Sequence, residues 1–136
     1  MTPSREDGAL TAFVAVIALA LFVLAGLVVD GGRAVTARTA AEGDAEQAAR
    51  AGAAQLSVEA VRQGVFTLAP EVATEAAARY LAQVGRTGVV TMSGSTVDVR
   101  IDVVEPTVVL GIVGVHDLRF TVRASATDVH GVGRSD

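Results

Sequence analysis

Cysteine and lysine are both absent from this 136-residue chain, and aromatic residues make up only 4% of it. Without cysteine there is no disulfide framework, no thiolate metal site and no cysteine nucleophile. With so few rings, any folded core must be small and aliphatic, because the 51% of apolar residues come mainly from Ala, Val and Leu. All eleven basic residues are Arg, and the formal net charge is −4. That balance excludes an ordinary nucleic-acid binder, which needs clustered basic side chains to neutralise phosphates. The length allows one domain of ordinary size and a short appendage.

Chemistry is equally scarce. His116 and His130 are the only histidines, and neither stands at a metal-ligand spacing, so both are expected in loops. Ser57, Ser93, Ser95 and Ser125 lack a nucleophile-elbow context. The Asp-Gly-Gly-Arg at Asp30–Arg33 follows no strand pattern and precedes no GK[ST], so it is not a phosphate loop. Asp98, Arg100 and Asp102 alternate, as on the solvated face of a strand. The chain is therefore expected to be no enzyme and to hold neither cofactor nor metal.

What is present begins with residues 9–29, ALTAFVAVIALALFVLAGLVV, an uncharged run whose only polar side chain is Thr11. As a helix its twenty-one residues extend roughly 32 Å, against a hydrocarbon core of about 30 Å. Its thirteen Leu, Ile, Val and Phe residues favour insertion by about 4 to 8 kcal/mol. A cleavable secretory signal has a shorter apolar region, and its leader is basic, whereas here Glu6 and Asp7 accompany Arg5. The expectation is a single transmembrane helix. Arg5 lies on one side of it and Arg33 and Arg38 on the other, so charge counting does not favour a cytoplasmic N-terminus. The short leader nevertheless makes N-in the simplest arrangement. Thr11, Ala18, Ala25 and Gly32 recur every seven residues, the small-residue seam on which one membrane helix packs against another.

Residues 30–66 continue in a helix-favouring composition of Ala, Glu, Gln and Arg, interrupted by Gly31, Gly32, Gly43, Gly52 and Gly64. Asp30, Gly31, Gly32 and Arg33 mark the membrane exit, with Arg33 placed to pair with Asp30 or with lipid head groups. The two glycines either let the helix bend or admit a neighbouring helix. Ala34, Ala37, Ala41, Ala45, Ala48, Gly52 and Leu56 define one small-residue face, while Arg38 with Glu42 and Glu46 with Arg50 form ion pairs on another. A second helix is expected from about Glu71 to Val84, with Ala73, Ala77, Tyr80, Leu81 and Val84 as its apolar stripe.

The period then changes from helical to alternating. GVVTMSG is a short strand candidate; STVDVRIDVVE and LRFTVRASATDV alternate cleanly, with Val97, Val99, Ile101 and Val103, and then Leu118, Phe120, Val122, Ala124 and Ala126, facing inward. One wet face points to an antiparallel sheet covered by helix on the other. The fold class is α+β: a long N-terminal helix, a second helix and about three strands. The expected divisions are a leader over 1–8, the span over 9–29, an extracytoplasmic helix over 30–66, a head over 67–130 and a disordered tail over 131–136. Between the last two strands, Val108 to Val115 is apolar throughout and too short to span a bilayer. It is either a core-covering loop or an exposed lip that touches the membrane or a neighbouring subunit.

REDGALTAFVAVIALALFVLAGLVVDGGRA with ARTAAEGDAEQAARAGAAQL, and more weakly PTVVLGIVGVHDLRFTVRASAT, resembles the TadE/TadG-like proteins of Flp (tight-adherence) pilus assembly, especially their actinobacterial members. The resemblance implies a minor pilin or pseudopilin, anchored in the cell membrane, with an exported head. Its partners would be membrane lipid and other pilus-assembly proteins or pilins met through the N-terminal helix. It also implies Gly8 as the position after which a prepilin peptidase cuts, with Ala9 first in the mature chain. Pilins carry Glu at the fifth mature position to fix register through a buried carboxylate. Phe13 stands there instead, which fits the unprocessed anchors among TadG-like members. The alternative is a single-span ligand-binding or sensor protein unrelated to pili.

Overall fold

A computed structural model describes residues 5–63 and 70–127. His130, the tail 131–136 and the first four residues of the leader lie outside the described residues, as do the side chains of Leu56 and Ser57. The elements are helix α1 (Arg5–Gln63), helix α2 (Pro70–Gln83), strands β1 (Gly88–Ser93) and β2 (Thr96–Pro106), a 3-10 turn (Leu110–Val113) and strand β3 (Asp117–Thr127). This is the α+β arrangement read from the sequence. Contacts divide it into two compact units, one built on residues up to Thr36 with Val104–Leu118, the other on Ala37–Val103 with the strand residues from Arg119.

The second unit holds the aliphatic core. Ala41, Ala45, Ala48 and Ala49 of α1, Ala73, Ala77 and Leu81 of α2, Val97, Val99, Ile101 and Val103 of β2 and Val122 of β3 are buried together. Small side chains let the backbones approach so closely that a Cβ built on Gly52 would lie 2.8 Å from the Ala73 carbonyl oxygen. The small-residue face of α1 therefore closes within this unit on α2 and the sheet. Its two surface pairs form as the four-residue spacing predicts, Arg38 to Glu42 at 2.9 Å and Arg50 to Glu46 at 3.6 Å.

Helix α2 buries Ala76 beside Ala73, Ala77 and Leu81, whereas Val84 stays exposed. Val84 N–H still donates to the Tyr80 carbonyl at 3.1 Å, and the helix stops directly after it. Arg86 N–H donates to the Leu81 carbonyl at 2.8 Å and Gly85 N–H to that of Ala82 at 3.2 Å, with Gly85 at φ +70°. This is a Schellman stop. Arg86 then pairs with Asp44 at 2.9 Å.

The sheet runs β1-β2-β3. Strands β1 and β2 pair antiparallel, Gly88 opposite Ile101 through Ser93 opposite Thr96, around a two-residue turn opened by Gly94 at φ +60°. Thr96 meets Thr127 and Asp102 meets Thr121, so β3 is antiparallel to β2 as well. Residues at alternate β2 positions, Val97, Val99, Ile101 and Val103, are buried, and Arg100 and Asp102 between them are exposed.

Candidate functional site

In the first unit, α1 carries the apolar run. It is long and apolar enough to cross a membrane, with a mean hydropathy of 3.0 in its most apolar window and only 6% of that window buried. Leu10, Phe13, Val14, Val16, Leu19, Phe22, Leu24 and Val28 all stand exposed. Of the sequence-derived seam, Thr11, Ala18, Ala25 and Gly32 are exposed, as are Gly8 and Ala9 at the proposed cleavage position.

The apolar run ends at Asp30, which is the one buried charged side chain among the described residues, 2% exposed. Its partner is the backbone of the β2–β3 connection. Val108 N–H donates to Asp30 Oδ1 at 2.9 Å, and Val109 and Leu110 N–H donate to Oδ2 at 3.0 and 2.7 Å. The 3-10 turn that begins here has no cap from its own Val109 side chain. An ionised carboxylate, with acceptors only, supplies that cap from 78 to 80 residues away in sequence.

The contact continues down the helix. A Cβ on Gly26 would lie 2.7 Å from Val109 Cγ1, so only glycine lets the turn lie this close. A small apolar recess of about 160 Å³ opens between Leu19, Phe22 and Val23 of α1 and Val109, Leu110, Ile112 and Val113 of the turn. Beside Asp30, Arg33 Nη2 pairs with Glu105 Oε1 at 3.1 Å rather than making its salt bridge to Asp30. Thr107 N–H donates to the His116 carbonyl at 3.0 Å, and the Thr107 hydroxyl donates to the Val115 carbonyl, which closes the base of the turn.

Gly31 and Gly32 lie within an unbroken helix, and nothing among the described residues comes within 4 Å of a Cβ built on either. Thr36 donates its hydroxyl to the Gly32 carbonyl at 3.0 Å, a back-bond that competes with the helical ladder. Sequence reasoning singled out Asp30 to Arg33 as a junction but missed Gly26, Glu105 and the Asp30 acceptor role. A carboxylate closing an uncharged run was the available signal.

The second unit offers a different surface. A depression of about 530 Å³ on the outer sheet face is lined by Val89, Thr91, Asp98, Arg100, Arg123 and Ser125 among others. Nearby, the Thr121 hydroxyl donates to Asp102 at 2.5 Å and Arg100 donates to it at 3.2 Å. The Thr121 hydrogen bond first, and then that from Arg100, hold the Asp102 carboxyl below its usual range. His116 is exposed.

No curated protein and no solved structure matches the chain. The Tad family model, of TadE/G-like proteins of Flp pilus assembly, matches residues 8–55, about a third of the chain. The matched segment holds the apolar run, Asp30 and most of the small-residue face. Residues 8–55, and with them most of the long N-terminal helix, are similar to the TadE/G-like proteins of Flp pilus assembly.

Proposed function

We propose that this protein is a membrane-anchored, minor pilin- or pseudopilin-like component of a Flp-type pilus or secretion apparatus. The single observation that carries the reading is the coincidence of the TadE/G-like segment with an apolar helix that the fold leaves uncovered. A helix apolar on all sides needs lipid or other helices around it. The seam of Thr11, Ala18, Ala25 and Gly32 is exposed and suits close approach by a neighbouring pilin or assembly protein. The helix crosses the cell membrane once with its N-terminus in the cytoplasm, and the sheet unit is exported. The protein works by packing and not by catalysis. Phe13 in place of the register-setting Glu favours a fixed anchor over a processed filament subunit.

The test is a photo-crosslinking residue placed at Ala18 or Ala25 in cells that make the pilus. We expect adducts with pilus-assembly proteins or pilins. Adducts with none of them, from a variant that reaches the membrane, overturn the reading. A second reading, a single-span ligand-binding or sensor protein, draws on the sheet depression, where Arg100 and Arg123 offer two cations to an anionic ligand. It requires ligand binding that Arg123→Ala removes while the crosslinks are unchanged.

A further inference from the structure

We propose that the apolar turn over 108–115 is itself immersed in the bilayer, as a re-entrant lip in the same leaflet as residues 19–30 of α1. The proposal rests on the reading of residues 9–29 as a membrane span and goes beyond it. Depth is the first argument. The turn packs on Gly26 and reaches Phe22 and Leu19, which lie about 12 and 16 Å below Asp30 along the helix at 1.5 Å per residue. A hydrocarbon leaflet is about 15 Å thick, half of the whole core. If the helix spans, the turn cannot stay in water while touching those residues.

The second argument is that the turn is built for a solvent without hydrogen bonds. From Val108 to Val115 it carries no polar side chain. Backbone polar groups without partners are costly in hydrocarbon, and non-helical backbone is tolerated at membrane depth where it is packed into protein or lines a water-filled cavity. Six of the eight N–H groups over 108–115 have partners: those of Val108, Val109 and Leu110 go to Asp30, that of Ile112 to the Val109 carbonyl, that of Gly114 to Gly111 and that of Val115 to Leu110. Asp30 thus supplies half of these partners from outside the turn. Ile112, at 83% the most exposed large apolar residue among the described residues, faces outward beside the exposed Val108 and Val113. Their surface is continuous with that of Phe22 and Leu19 across the small apolar recess, which acyl-chain methylenes suit. The polar groups gather at one level, where Asp30, Arg33, Glu105, Thr107 and His116 mark the interface.

The chain contains no Trp, so single tryptophans report position without background. The full-length protein is reconstituted into phosphatidylcholine vesicles with or without acyl chains brominated at stated depths. Three variants are compared: Leu24→Trp in the span, Ile112→Trp in the lip and Thr91→Trp on the outer sheet face. We expect Ile112→Trp to match Leu24→Trp, blue-shifted relative to Thr91→Trp and quenched by the brominated chains. If Leu24→Trp is quenched and Ile112→Trp is red-shifted and unquenched, the lip is in water and the proposal fails while the span stands. If Ile112→Trp is blue-shifted but unquenched, protein and not lipid covers it, which also overturns the proposal. If neither is quenched, the span reading falls and takes the lip with it. Ile112 is so exposed that a Trp there leaves packing within the unit undisturbed.

Discussion

At Asp30 one carboxylate does for a loop what water does for most loops. It satisfies three consecutive backbone donors that neither the turn nor β2 can serve. Asp30→Ala removes the acceptor and leaves those N–H groups facing an apolar recess, a costly state for buried donors. Hydrogen exchange at the Val108, Val109 and Leu110 amides is expected to accelerate sharply in that variant. In Asp30→Asn the increase is intermediate, because the carbonyl of Asn still accepts while its amide meets a donor. Unchanged protection in Asp30→Ala would show that the cap comes from elsewhere. Nothing local in the sequence announces these bonds. An Asp followed by Arg33 three residues on reads as a helix-surface pair, and the residues that replace this pairing, Glu105 for Arg33 and the 108–110 backbone for Asp30, are more than seventy positions away.

Helix α1 shows how the same residue type serves different ends in one element. Gly26 and Gly52 are close-approach positions, against Val109 and the Ala73 carbonyl, whereas Gly31 and Gly32 face open space. Gly52→Ala is therefore expected to lower stability by about 1–3 kcal/mol through overpacking against backbone that cannot give way. Replacing Gly31 and Gly32 by Ala should instead stabilise the helix by about 0.5–1 kcal/mol at each position. Thermal unfolding followed by circular dichroism separates the two outcomes. If the Gly31 and Gly32 variant is stable but no longer assembles, those glycines serve a partner helix. Periodicity in composition exposed the small-residue face, the ion pairs and both alternating strands, because each is a property of neighbours three, four or two positions apart. The end of α2 escaped it by one residue, since a left-handed Gly85 acts through two backbone bonds that hydrophobic spacing does not register.

For the molecule as a whole, the uncovered apolar surface of α1 and the buried alanine face belong to one helix. Intact mass of the membrane-extracted protein tests the fate of its N-terminal end. The anchor reading expects a mass that retains the residues before Ala9. A mass that starts at Ala9 marks peptidase processing and a pilin-like subunit, and one that lacks the whole run marks a secreted domain.

By itself the sequence determined the elements of this protein and the apolar face of each. The apolar run, the alanine face and the alternating strands are short-range patterns, and helix and strand geometry convert them directly into faces. Tertiary structure alone decided where the 108–115 turn packs. The side chains of that turn are compatible with a core, a subunit interface or a bilayer. Only the fold places it against Gly26, with its donors on Asp30. Contacts across some eighty residues depend on how whole elements dock, and no local spacing encodes that.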